Sequence, residues 1–177
     1  AQMVALGTAQ VAALTTDQLA NLSTDQVAAL RSSQVIGIET ADLVTLTTDT
    51  LGALTSTAFA GLTTGQVARL TTAQIVGLNA TQVSAMTTDQ VVAITTAQAA
   101  QMTTSSAAAL SANQVAALET VDLAKLNTAA VNSLTTAAIS GLTTGQIASL
   151  TTAQVVALGT DQVKQLGTTQ IASLTTA

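Results

Sequence analysis

The chain offers chemistry nine carboxylates, four cations and a scatter of hydroxyls. Two acidic pairs stand closest together, Glu39 with Asp42 and Glu119 with Asp122, each inside a phrase of the form E-T-x-D-L. Paired carboxylates can share a proton, help to hold a divalent cation or act as general acid and base. No base, electrophile or further ligand accompanies either pair, so both read as structural variants of a repeat. Asp17, Asp25, Asp49, Asp89 and Asp161 recur at one repeat position and could line a loose calcium ladder. Calcium wants roughly six to eight oxygens, and each of these carboxylates stands alone. They read as solubilising charge at helix starts.

The sequence contains no Cys, His, Trp, Tyr or Pro and one Phe, Phe59. Without imidazole or thiolate there is no ordinary base, no zinc site and no activated nucleophile for the serines. The expectation is a protein that is not an enzyme, with no catalytic, cofactor-binding or metal-binding residues. Arg31, Arg69, Lys125 and Lys164 are the whole basic complement, and the pI is near 4.1. A surface that tracks phosphates needs far more positive charge, so no nucleic-acid partner is expected. No run approaches the roughly 18 apolar residues of a membrane span. The opening AQMVALGTAQ lacks a basic start and an apolar run, so either a leader was cleaved or the chain is an excised fragment. Charged residues are only 7%, yet strict apolar periodicity argues against disorder.

The elements that carry these residues repeat every eight positions. Leu6, Leu14, Leu22, Leu30, Ile38 and Leu46 open a series that reaches Leu174 without insertion or deletion. With that position called slot a, slot f is the second apolar one: Val11, Leu19, Val27, Val35, Leu43, Leu51, Phe59 and onward to Ile171. Phe59, Met86 and Met102 occupy these core slots and are assigned to packing. Slots b and c are mostly Thr, slot e is usually Gln, and g and h are mostly small, giving the consensus L-T-T-x-Q-V-A-A. A slower period overlies this one, since Glu39–Leu43 recurs as Glu119–Leu123 ten octads later. The chain reads as one uninterrupted array over 1–177, about 22 octads with an 80-residue superperiod.

Eight suits neither a continuous helix nor a continuous strand. A helix advances about 800° in eight residues, so its apolar stripe would drift roughly 80° per repeat. In a strand, slots a and f would face opposite ways. The chain must therefore turn once per octad, and the phrase says how. With Thr15 as N-cap, Gln18 falls at N3 and completes a capping box. Leu14 and Leu19, at N′ and N4, make the accompanying hydrophobic staple. Asp17 lies in the first turn, where the helix dipole favours a carboxylate. Each octad is thus a helix start, about a turn and a half of helix, and another start. Glu39 and Glu119 take the cap position without being able to cap as Thr does.

The fold class expected is an all-α repeat, a continuous solenoid of very short helices, with slots a and f inside and c and d outside. The alternative is a β-solenoid, favoured by Thr, Val and Ile and opposed by the Ala, Leu and Gln content and the capping-box spacing. Stacked Thr pairs also suit an ice-binding array, although capping would consume the slot-b hydroxyls.

"LTTAQVVAL" at Leu150–Leu158 and "MTTDQVVAI" at Met86–Ile94 resemble octapeptide arrays of very large secreted or surface proteins of proteobacteria, described as adhesin-like or haemagglutinin-like. That resemblance implies an extracellular or cell-surface stalk, spacer or filament-forming element. The second phrase is also similar to the first-helix start of TAL-effector repeats. The second helix and base-reading loop of that family are missing, so DNA reading does not carry over. The runner-up function is a repetitive binding surface for ice or polysaccharide. Neither end differs from the middle: Met3 and Leu6 open the array in core slots, and Ile171 and Leu174 close it before Thr176 and Ala177. Repeat arrays normally end in polar caps, so end-to-end self-association is expected.

Overall fold

A computed structural model of the chain describes residues 2–174, with the backbone alone at Gln2. Each octad forms one α-helix of four to six residues, from Gln2–Ala5 to Thr168–Ala172, and no strand occurs among the described residues. The all-α reading holds, and the β-solenoid is set aside.

The helix starts where the capping box puts it. In the octad of Leu62, slot-b Thr63 is extended (φ −72°, ψ 159°) and the helix runs Thr64–Arg69. Slot-a Leu70 then leaves the helix at φ −53°, ψ 138°. Two extended residues, a and b, thus make the corner between successive helices. No described residue has positive φ, glycines included. The corners therefore need no left-handed residue, which explains why the repeat carries no fixed glycine.

The chain divides into two compact units, residues 1–93 and 94–177. In the first, Thr8–Ala12 packs on Ser32–Val35, which packs on Ser56–Ala60, which packs on Ala80–Ala85. In the second, Thr104–Ala108 packs on Thr128–Ser133, which packs on Thr152–Ala157. In both units a helix meets the one three octads away. Hydrogen bonds between turns span 28 to 31 residues, so one superhelical turn takes between three and four octads.

Slots a and f form the core of each unit: Leu43, Leu51, Phe59 and Val67, like Leu123, Val131 and Ile139, are fully buried. Met86 and Met102 are buried with them. Slot h closes over slot c of the turn before, and at four of these crossings the chains come very near: Gly37 on Thr8, Gly61 on Ser32, Gly77 on Thr48 and Gly141 on Ala112. A Cβ on Gly61 would lie 2.5 Å from that of Ser32, and one on Gly141 would lie 2.9 Å from that of Ala112. Here glycine serves proximity, and its conformational freedom is not used.

The terminal turns differ from expectation in one respect. Met3 is buried and Leu6 half-buried, because slot f is covered by the following turn and needs nothing before it. Ile171, in contrast, is 44% exposed, and Leu174 is half-buried. The apolar cross-section expected at both ends is thus open mainly on one side. Thr176 and Ala177 lie outside the described residues.

Candidate functional site

Gln at slot e is the residue on which the architecture turns. The backbone N–H of Thr63 donates to Gln66 Oε1 at 2.7 Å, and the Gln66 N–H donates to Thr63 Oγ1 at 3.2 Å. These two bonds are the capping box. The other half of the same amide points across the gap between turns. Gln66 Nε2 donates to the backbone carbonyls of Val35 at 2.8 Å and Ile38 at 2.7 Å, one in slot f and one in slot a. Gln154 in the second unit does the same: its Oε1 takes the Thr151 N–H at 2.9 Å, and Nε2 gives to Leu123 and Leu126, both at 2.8 Å.

The choice of residue follows from the donors and acceptors required. The slot-a carbonyl belongs to the corner, outside either helix, so no helical N–H serves it. An unpaired buried carbonyl costs about 1–3 kcal/mol. A primary amide carries one acceptor and two donors, which matches one N-cap N–H on its own turn and two carbonyls on the turn before. Gln66, Gln74, Gln82 and Gln90, with Gln146, Gln154, Gln162 and Gln170, are all buried in this role. Where slot b is Gly, half of the box persists, as when Gly159 N–H donates to Gln162 Oε1 at 2.8 Å. The amide nitrogen's task was not read from the sequence. The signal was present there: a capping box accepts Glu as readily as Gln, yet Glu never occupies slot e in this chain.

Residues 1–32, 35–72, 68–96, 115–152 and 148–176 match the profile of the ALTTAQ repeat. The chain belongs to the ALTTAQ repeat family. In the ALTTAQ phrase the Ala-Leu is the end of one helix and the corner, the first Thr is the cap, and the Gln is the bridge. A search of the curated proteins found none that matches.

The acidic candidates sit where the ALTTAQ phrase breaks. Neither Glu39 nor Glu119 makes a side-chain cap. Asp42 and Asp122 stand in the bridging slot, one methylene shorter than Gln and without a donor. Asp42 Oδ1 accepts from Thr16 Oγ1 at 2.5 Å. Asp122 is 2% exposed, and its Oδ1 is buried with no hydrogen-bond partner. Two shallow grooves meet at Thr40 beside the first pair, one reaching Glu39 and Thr63, the other Val44 and Arg69. Asp17, Asp25, Asp49, Asp89 and Asp161 are exposed at helix starts, and Lys164 lies 3.1 Å from Asp161. Nowhere among the described residues do three or more His, Cys, Asp or Glu side chains come together. No described helix is long and apolar enough to cross a membrane.

The octads after each acidic break also lack Gln. Slot e is Thr50 and Ala58 in the first unit, and Ala130 and Ala138 in the second. Thr50 Oγ1 hydrogen-bonds Thr47 Oγ1 at 2.8 Å and stays within its own octad. At Ala130 the cap residue substitutes in part, since Asn127 Nδ2 donates to the slot-a carbonyl of Met102 at 3.0 Å.

Proposed function

We propose that this chain is a structural, non-catalytic spacer segment of an extracellular or cell-surface protein of adhesin-like or matrix type. One observation carries the reading. Each bridged turn is fastened to its predecessor through backbone carbonyls, by the same residue in the same geometry. A backbone-directed fastening accepts any neighbour of the same repeat, so turns add without renegotiating side-chain fits. Such a device sets length, and stability then accumulates from nearest-neighbour contacts. The likeness of LTTAQVVAL to arrays of large proteobacterial surface proteins supports the extracellular setting.

Two tests apply. Joining two copies of the 177-residue array in tandem should double the contour length in negative-stain images; a compact particle of unchanged length overturns the spacer. Antibody against the array should label intact producing cells, and labelling only after lysis removes the surface setting. A filament-forming version has its own support: Gln10, Gln18 and Gln26 of the first turn are exposed, whereas Gln34, one turn on, is buried and bridges to Met3 and Leu6. Light scattering of the 177-residue polypeptide should then rise with concentration, and polar substitution of Ile171 and Leu174 should suppress it.

A further inference from the structure

Each unit contains one junction between turns that no glutamine bridges. In the first unit it lies where slot-e residues Asp42, Thr50 and Ala58 stand above the slot-a carbonyls of Leu14, Leu22 and Leu30. In the second, Asp122, Ala130 and Ala138 stand above those of Ile94, Met102 and Leu110. The two junctions are 80 residues apart, residue for residue. We propose that these two seams are built-in yield points, the places where the array opens first under load or mild denaturant. The mechanical meaning rests on the spacer reading, while the order of opening is a property of the fold and is tested separately.

Both kinds of seam bury slots a and f, so opening either exposes apolar surface. Opening a bridged seam also breaks two buried hydrogen bonds per octad from the Gln amide. Opening an unbridged one breaks fewer, Thr16 to Asp42 in the first unit and Asn127 to Met102 and Ser133 to Thr104 in the second, and relieves what is already unmet. Asp122 Oδ1 has no partner while buried, and water supplies one. The Asp42 and Asp122 carboxylates bring acceptors to a place where the repeat needs donors. Close contact at Gly61 on Ser32 and Gly141 on Ala112 adds dispersion here, as Gly37 on Thr8 and Gly77 on Thr48 do at bridged seams, and dispersion fades within an ångström of separation. The unbridged seam shares this short-range packing but has fewer polar ties, and is therefore brittle. Once it parts, the helices beside it cannot persist alone, because segments of four to six residues are far below the length at which isolated helices survive.

The second unit separates this from fraying at a chain end. Its unbridged seam lies mid-chain, and its bridged seam lies nearer the C-terminus. The amides of Ala107 and Leu110 report the first, and those of Val155 and Leu158 the second; all four donate to carbonyls three or four residues back. Native-state hydrogen exchange of the full chain in sub-denaturing urea should show Ala107 and Leu110 exchanging at least about tenfold faster, through an opening smaller than global unfolding. The double variant Gln154→Ala/Gln162→Ala should erase the difference by bringing Val155 and Leu158 up to the faster rate. Asp122→Gln should narrow it from the other side. Equal protection in the parent chain, or faster exchange at Val155 and Leu158, overturns the proposal. Doubling of contour length in the tandem array is unaffected by either result, so the two readings fail independently.

Discussion

Within the second unit, two consecutive octads are held to the turn before them differently. Between Thr144–Ser149 and the turn before it, Gln146 donates to the carbonyls of Val115 and Leu118 at 2.7 and 2.8 Å. Between Thr136–Ser140 and the turn before it, slot e is Ala138 and no amide crosses. Packing alone holds this octad, with Gly141 seated on Ala112 as closely as Gly77 sits on Thr48 in an octad that Gln74 bridges. The same apolar slots line both. The comparison shows that the greasy stripe makes turns stick, while the glutamine satisfies what the corners leave exposed.

The largest expected effect comes from giving the bridged seam the chemistry of the acidic break. Gln154→Glu keeps an acceptor for the Thr151 N–H and turns a carboxylate toward the carbonyls of Leu123 and Leu126. Gln154 is 1% exposed, so an uncompensated charge there should cost about 3–5 kcal/mol. The sign with pH follows. Burial against acceptors raises the new carboxyl's folded-state pKa above its unfolded value of about 4.3. The deficit is therefore small below that value, where the protonated acid can donate, and grows as pH rises. Urea melts at about pH 4 and about pH 7, on either side of that value, check this. A loss equal at both, or no loss, would mean that the donor half of Gln is immaterial.

Next in size is the close approach of slot h to the turn before. Gly141→Ala puts a methyl 2.9 Å from Ala112 Cβ and 3.1 Å from its carbonyl oxygen, and should cost about 1–3 kcal/mol in thermal or urea unfolding. Gly145, four residues later, has no neighbour nearer than Thr143 Oγ1 at 4.0 Å. Gly145→Ala should stabilise by about 0.4–1 kcal/mol, through a less flexible unfolded chain. Similar effects at both sites would mean that the slot-h contact with the turn before is not tight.

Much of this was legible in the sequence. The octad register, the apolar slots and the Thr cap follow from residue type and spacing, since they rest on local geometry. The failure of Glu39 and Glu119 to cap was equally readable, because a cap involves only its own octad. The second task of Gln66 or Gln154 depends on a carbonyl 28 residues away. The number of octads per turn decides which carbonyl that is, and it follows from the torsions at the corner residues a and b. No residue type announces those torsions, as every corner uses ordinary extended backbone. Met3 was misjudged for a related reason: which neighbour covers slot f depends on the direction in which turns stack. Ala130 and Ala138 mark a different kind of junction for the same reason: what a slot-e residue faces on the turn before is not written in its own octad.

A smaller gain should follow from repairing the break. Asp122→Gln restores an acceptor for the Glu119 N–H and a donor toward the preceding turn, and it removes a buried oxygen without a partner. Stability should rise by about 1–2 kcal/mol. Asp122→Asn removes the charge but stays one methylene short, and should recover less. If Asn matches Gln, the defect lies in the charge alone and the bridge is irrelevant there.

The caps should show the smallest contrast between the seams, which is their use as a control. Thr143 Oγ1 accepts the Gln146 N–H at 3.2 Å beside the bridged seam, and Thr135 Oγ1 accepts the Ala138 N–H at 3.1 Å beside the unbridged one. Both bonds lie within one octad and neither crosses a gap. Thr143→Ala and Thr135→Ala should therefore each cost about 0.5–2 kcal/mol, alike within error. The slot-c changes Thr144→Ala and Thr136→Ala should cost much less, because both residues are exposed and helix interiors favour Ala. The cycle can be closed with Gln146→Ala. That change removes the bridge and half of the capping box together, so Thr143→Ala made on top of it should still cost nearly its full amount, because the Thr hydroxyl bonds the N3 backbone whichever side chain stands there. A Thr143 cost that collapses once Gln146 is gone would instead show cap and bridge acting as one unit. The difference between the seams would then lie in how well the helices begin, and not in what crosses between turns.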